Sequence, residues 1–301
     1  MSVFKFFEES KSEKVGPPSG DIRSIALMLQ PNKNQRFEIS YNIRFFAMGQ
    51  MVVDVRTSTI WLLKVIDSFE NGTLVDVEVE DQQTFNSNPI MNEMQDFAKA
   101  FNYPTKMLVI KLMSLGKIER VLNQEEIFSR WEEIKEEALK PLEKADEDKE
   151  ILKKGDIQFS DTLPALQDTL LYSIFFGAFY GTKTVGDNNI IDTGRYNSQL
   201  FQTKSIPYEL KEKVTDIKSG SINITQSASL INDLQVQEEF GKLYDEMYKQ
   251  ICGPDFNYQY KLLVDYNIDS TSGLINECNA SLREKANDML YYQADYTIKR
   301  I

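Results

Sequence analysis

The chain has 301 residues, 42% of them hydrophobic and 27% charged, with a formal net charge of −12. That composition fits a globular protein able to bury a core, and the excess of acid, with no offsetting run of Lys and Arg, excludes nucleic acid as an expected partner. Histidine is absent, which excludes Ser-His-Asp and Cys-His nucleophile systems, imidazole bases and most zinc or iron sites.

Residues 1–21 read as a flexible lead-in: Ser, Lys and Glu give way to Gly-Pro-Pro-Ser-Gly, and no export signal is visible. From Phe37 the alternation is clean, with Phe37, Ile39, Tyr41, Ile43 and Phe45 on one side and Glu38, Ser40, Asn42 and Arg44 on the other, which predicts a half-buried strand. A second strand is expected through Met51, Val53 and Val55 and a third over 60–66. Asn71-Gly72 then predicts a hairpin into a fourth, where Val75, Val77 and Val79 face inward. Sequential hairpins imply an antiparallel meander.

Ile90, Met94, Phe97, Ala98 and Phe101 fall at helical spacing, and Pro104 closes that helix. Strands are expected over 106–113 and 118–122 around a Gly116-Lys117 turn. Asn123 is then placed to cap a helix that carries Glu125 and Glu126 in its first turn and Ile127, Trp131 and Ile134 on one face. The charged stretch near 143–156 reads as a connection, 163–180 as one apolar helix, and the Asn-, Asp- and Gly-rich 182–205 as loop with at most a short strand. Ile222 to Leu230 alternate as a strand and 233–251 reads as helix. Phe256, Tyr258, Tyr260, Leu262, Val264, Tyr266 and Ile268 alternate without a miss, and strands over 274–282 and 289–298 follow. The expected fold class is α+β: residues 22–301 form one domain, a curved antiparallel sheet with helices packed across one face.

No motif in this chain carries catalytic or cofactor chemistry. "DYNIDSTSG" at 265–273 begins like a calcium loop but has Ser270 where the loop needs Gly and Asn276 where it needs Glu. "GDNNIIDTG" at 186–194 gathers Asp187 and Asp192, a pattern ordinary for loops. The glycines match neither GxGxxG nor a P-loop, so no cofactor and no metal is expected. Cys278 lies among apolar positions and reads as a small buried hydrophobe; Cys252 and Cys278 are too few for a disulfide framework, and whether they pair is open. No apolar run is long enough to span a bilayer as a helix.

The order of elements, together with the closing stretch "YQYKLLVDYNIDSTSGLINECNASL", with Asp269, Thr271 and Gly273 as its turn, and the earlier Gly116-Lys117-Ile118 hairpin, resembles half-barrel proteins related to bacterial lipoprotein carriers. It also resembles uncharacterised Bacteroidetes proteins whose closing strands read aspartate, Thr-x-Gly and a returning strand. The resemblance implies a concave face that binds lipid or lipoprotein.

The leading expectation is therefore a non-catalytic binding protein that holds an apolar ligand or acyl group in the concave face of the sheet, with Phe37, Tyr41, Phe45, Trp131, Tyr258 and Tyr260 at the cavity. The alternative is a cytoplasmic interaction module, an immunity protein or chaperone, that holds a basic protein partner on the acidic face of 125–150. As written, the chain reads as cytoplasmic, and not as an enzyme.

Overall fold

Period-two alternation of branched and aromatic residues governs most of the chain, and in the computed structural model it produces one very broad antiparallel sheet. The structure describes residues 24–86, 99–137, 139, 146–202, 204–231 and 233–301, so the expected lead-in and most of the helix expected before Pro104 lie outside the described residues. Strand β1 (Ser24–Leu27) is followed by β2 (Gln35–Ala47), β3 (Gln50–Phe69), β4 (Gly72–Asn86), β5 (Met107–Leu112) and β6 (Ile118–Val121). After a helical stretch come β7 (Gly181–Thr184), β8 (Asn188–Asn197), β9 (Ser205–Lys218), β10 (Ser221–Leu230), β11 (Gln259–Asp269), β12 (Ile275–Asn287) and β13 (Leu290–Arg300).

Eleven strands form the sheet in the order β6-β5-β4-β3-β2-β13-β12-β11-β10-β9-β8, while β1 and β7 pair separately. Every neighbour in the large sheet is also a neighbour in sequence, except β2 and β13, which pair from Tyr291 opposite Phe46 to Arg300 opposite Phe37. The sheet is thus two meanders joined edge to edge, curved but not closed. One α+β fold with strands from both halves of the chain is what the alternation implied.

The expected second and third strands are a single strand, β3. Its polar middle, Thr57 and Thr59, looked like a break but faces inward with its hydroxyls satisfied: Thr57 Oγ1 and Thr84 Oγ1 lie 3.1 Å apart, and Thr59 Oγ1 donates to the Asp81 carbonyl at 2.7 Å. The charged stretch expected to be a connection is helix α2 (Asp146–Ser160), which pairs with α1 (Gln124–Glu137). Leu152, Gly155 and Phe159 are buried in it at helical spacing. Trp131 of α1 packs between Phe101 and Phe159 and donates Nε1–H to Asp156 at 2.8 Å.

Asn123 does not cap α1 with its side chain. It turns back to the sheet instead, where its Oδ1 accepts from Val109 N and its Nδ2 donates to the Met107 carbonyl, at 2.9 and 3.0 Å. The apolar stretch after α2 forms two short helices, α3 (Leu163–Asp168) and α4 (Leu170–Phe175), with a turn through 176–180. Helices α5 (Asp233–Met247) and α6 (Lys249–Cys252) follow β10, and Phe240 and Tyr244 of α5 pack on Tyr258 and Phe256.

Candidate functional site

The inner face of the sheet carries Phe37, Ile39, Trp61, Val75, Ile110, Ile224, Val264, Tyr266, Ala280 and Ile298, all buried. Helix α4 seats on its middle: Phe175 lies 5.0 Å from the Phe37 ring and 5.2 Å from Trp61, and Tyr172 lies 5.0 Å from Trp61. Between α3–α4 and strands β8–β11 this packing leaves a cavity of about 440 Å³, inside the range of ~300–1,000 Å³ usual for small-molecule sites.

Leu166, Leu170, Ile174 and Phe176 line the helical wall together with Tyr172 and Gln167; Leu210, Leu262 and Val264 line the sheet wall; Tyr196, Tyr208 and Tyr260 cluster beside them, and Lys117, Asp168, Asp192 and Arg195 stand at the rim. The Tyr196 and Tyr260 rings are 5.0 Å apart, and those of Tyr208 and Tyr260 are 6.1 Å apart. Burial above all, and Asp192 beside it, push the Tyr208 phenol up. Burial also raises Tyr260 and Tyr196, each helped by the neighbouring Glu284. All three are therefore neutral hydroxyls at physiological pH.

Polar groups support the walls. Gln226 lines the cavity and donates to Glu212 Oε2 at 3.1 Å, while Glu212 forms a buried ion pair with Lys183 of β7. Behind Tyr260, Glu284 of β12 is fully buried and accepts from Ser198 Oγ, from Gln199 N at 2.8 Å and from Tyr258 Oη at 2.8 Å. Burial raises its pKa and these bonds partly oppose the shift. Together they pin the 198–201 loop that follows the cavity-lining Tyr196 and Asn197.

The two edge strands of the open sheet, β6 and β8, flank the cavity. Lys117, at the foot of β6, forms an ion pair with Asp192 on β8. Helix α3 spans the same gap: Gln167 donates to the Ile118 carbonyl at 3.1 Å, and Asn197 of β8 donates to Asp168 at 3.1 Å. The unclosed seam of the sheet is thus the flank of the site.

At the far end, residues 24–32 cross the opening. Gln30 N donates to the Ser272 carbonyl at 2.9 Å, and Asn32 N to that of Val65 at 3.2 Å. The turn that began like a calcium loop serves this closure. Asp269 Oδ1 accepts from Thr271 N and Ser272 N at 2.9 and 2.8 Å, and Gly273, at φ +72°, lies where a Cβ would strike the Met28 carbonyl. Gly116 of the earlier hairpin packs on the Tyr180 ring, whose hydroxyl donates to the Gly273 carbonyl at 3.1 Å. Among the described residues no group of acidic or cysteine side chains could hold a metal ion.

Of the six residues expected at the cavity, Tyr260 lines it. Tyr258, one inward position along, is consumed by Glu284 and the Phe201 and Phe240 rings. Phe37 and Trp131 are fully buried in core contacts. Tyr41 and Phe45 share the inner face but sit away from the cavity, Tyr41 being 5.5 Å from Tyr296. Sequence reasoning missed Tyr196, Tyr208 and Gln226. Their signal was the alternation of Ile206, Tyr208 and Leu210 with Pro207 and Glu209, interrupted by the inward Glu212.

No protein-family model and no curated protein matches the chain. Among solved structures, that of lipovitellin, determined for its lipid–protein interactions, is similar over 91% of this chain, with a TM-score of 0.51 at 7% identity. The chain spans a quarter of that protein's length, 25%, and the likeness is one of fold. An outer membrane channel from Pseudomonas putida overlaps 96% of this chain at 6% identity with a TM-score of 0.16, too low to inform the fold. The open curved sheet fits the half-barrel resemblance, but none of these findings supports kinship with Bacteroidetes proteins.

Proposed function

We propose that the protein is a non-catalytic binding protein that holds an amphipathic small molecule, with an acyl or other apolar body, inside its curved sheet. The observation that carries this reading is the cavity between α3–α4 and strands β8–β11, whose lining combines aliphatic side chains with a cluster of tyrosines and a polar rim. Each methylene buried there contributes about 0.8 kcal/mol, so a medium-length chain binds without any charged anchor. Lipovitellin, a protein of similar fold, interacts with lipid, which agrees with this reading.

Native mass spectrometry of protein purified without detergent from its own host tests it. A retained mass of a few hundred daltons, released on denaturation, is the expected result. Leu210, half-buried on the sheet wall, offers the matching variant: Leu210→Trp fills the cavity, and should remove the bound mass while costing no more than about 3 kcal/mol of folding stability. A bound mass retained by the folded variant would count against the cavity. The alternative of a basic partner on the acidic helices has weaker support, since Lys135 already bonds Glu132 and Asp156, and Lys153 bonds Glu150.

A further inference from the structure

The tyrosine cluster of the cavity has unused hydrogen-bonding capacity, and its electrostatics restrict what can use it. Tyr196, Tyr208 and Tyr260 converge from β8, β9 and β11, and none of their hydroxyls has a hydrogen-bond partner among the described residues. Three other buried tyrosine hydroxyls are spent on protein groups, Tyr258 on Glu284, Tyr266 on the Ile174 carbonyl and Tyr180 on the Gly273 carbonyl. The Tyr196 hydroxyl is buried without a partner, which costs stability unless something answers it, and the Tyr208 and Tyr260 hydroxyls beside it are free to bond a ligand. Their position beside Leu210, Leu262 and Val264 marks where a ligand's polar end belongs.

The charge of that end follows from what surrounds it. Asp192 and Asp168 border the cavity and Glu284 lies behind Tyr260. Of the two cations on the rim, Lys117 is paired with Asp192, while Arg195 is exposed and bonds only the neutral Ser205, through its Nε at 2.8 Å. A carboxylate or phosphate placed beside the tyrosines meets neutral donors, the Asp168 carboxylate and an Asp192 already paired with Lys117, while the lining cation without an acidic partner, Arg195, is exposed, an arrangement that offers an anion no buried countercharge.

We infer that the ligand is an uncharged amphiphile, an apolar body ending in a hydroxyl or carbonyl that bonds the Tyr208 and Tyr260 hydroxyls, and that free fatty acids and phospholipid-like anions are discriminated against. This rests on the cavity reading above and narrows it to a chemical class.

Displacement of the fluorescent probe aminoanthracene by octane, octanol and octanoate at neutral pH separates the two. Octanol should bind about tenfold tighter than octane, the worth of one or two net hydrogen bonds, and octanoate should bind weakest. Tyr208→Phe with Tyr260→Phe keeps both rings and should lower octanol affinity about tenfold with octane unchanged. Octanoate binding as tightly as octanol, or octanol affinity insensitive to the double change, would overturn the uncharged-end assignment while leaving the cavity in place. Failure of all three to compete with the probe, or of the probe to bind, would overturn the cavity reading and this inference together.

Discussion

Glu284 shows how a single buried acid organises the site. It has no exposed surface, yet accepts from Ser198, Gln199 and Tyr258 and so fixes the loop after β8 against β12. Burial lifts its pKa above the ordinary 4.5, so the folded state holds the proton more tightly than the unfolded chain. The stability this confers is present in full below pH 4.5 and is lost as pH rises through the folded value. Glu284→Gln removes the titration. The stability of the parent relative to this variant, from urea midpoints between pH 4 and 8, should therefore be greatest at the acid end and fall as pH rises. A difference independent of pH would mean that Glu284 does not titrate differently in the two states. Nothing in the sequence marked Glu284 as special. It alternates among exposed charges in "SLREKAN", and only the register, which sets it opposite Tyr260 and Tyr292, puts it inside.

At the scale of elements, α2 is held by a feature that disguised it. Gly155 among lysines and acids reads as a break, but Trp131 of α1 lies flat over it, where any Cβ would collide with the indole. Glycine in a helix ordinarily costs ~1 kcal/mol relative to alanine. Here the order should invert, with Gly155→Ala destabilising by about 1–3 kcal/mol through overpacking, read as a lower urea midpoint at unchanged slope. The same lesson applies to β8 and β9. Strands with a long apolar run on one face, such as β2, β4 and β11, were legible because burial demands that alternation. Strands β8 and β9 were not, since β8 is an edge rich in Asn, Asp and Thr, and the inward Glu212 of β9 is paired with a lysine from β7. The cavity lies along these less legible strands. Its tyrosines could be placed only once the register was known, whereas Tyr260 stood on a strand that declared itself.

Across the whole molecule, the curved sheet stops short of closing, and the gap between β6 and β8 is held by Lys117–Asp192 and by α3. The Lys117 side chain is 43% exposed, so the ion pair contributes no more than ~1 kcal/mol to stability. Its larger effect is expected on opening of the seam. Lys117→Met should leave the denaturation midpoint nearly unchanged, yet raise amide hydrogen exchange in 118–121 and 188–197 severalfold relative to β11 and β12. Equal protection in variant and parent would show that α3 alone holds the edges together.

The single pairing of β2 with β13 also sets the order in which the chain can fold. Each meander is built from hairpins close in sequence, and each can form locally. Their union needs residues such as Arg44 and Asp295, 251 positions apart, so the sheet and the cavity framed by its two outer edges are completed only when β13 has left the ribosome. Until then β2 and β12 present long unpaired edges, one of them flanked by Phe45 and Phe46, and the nascent chain passes through a state prone to association before it reaches one able to bind.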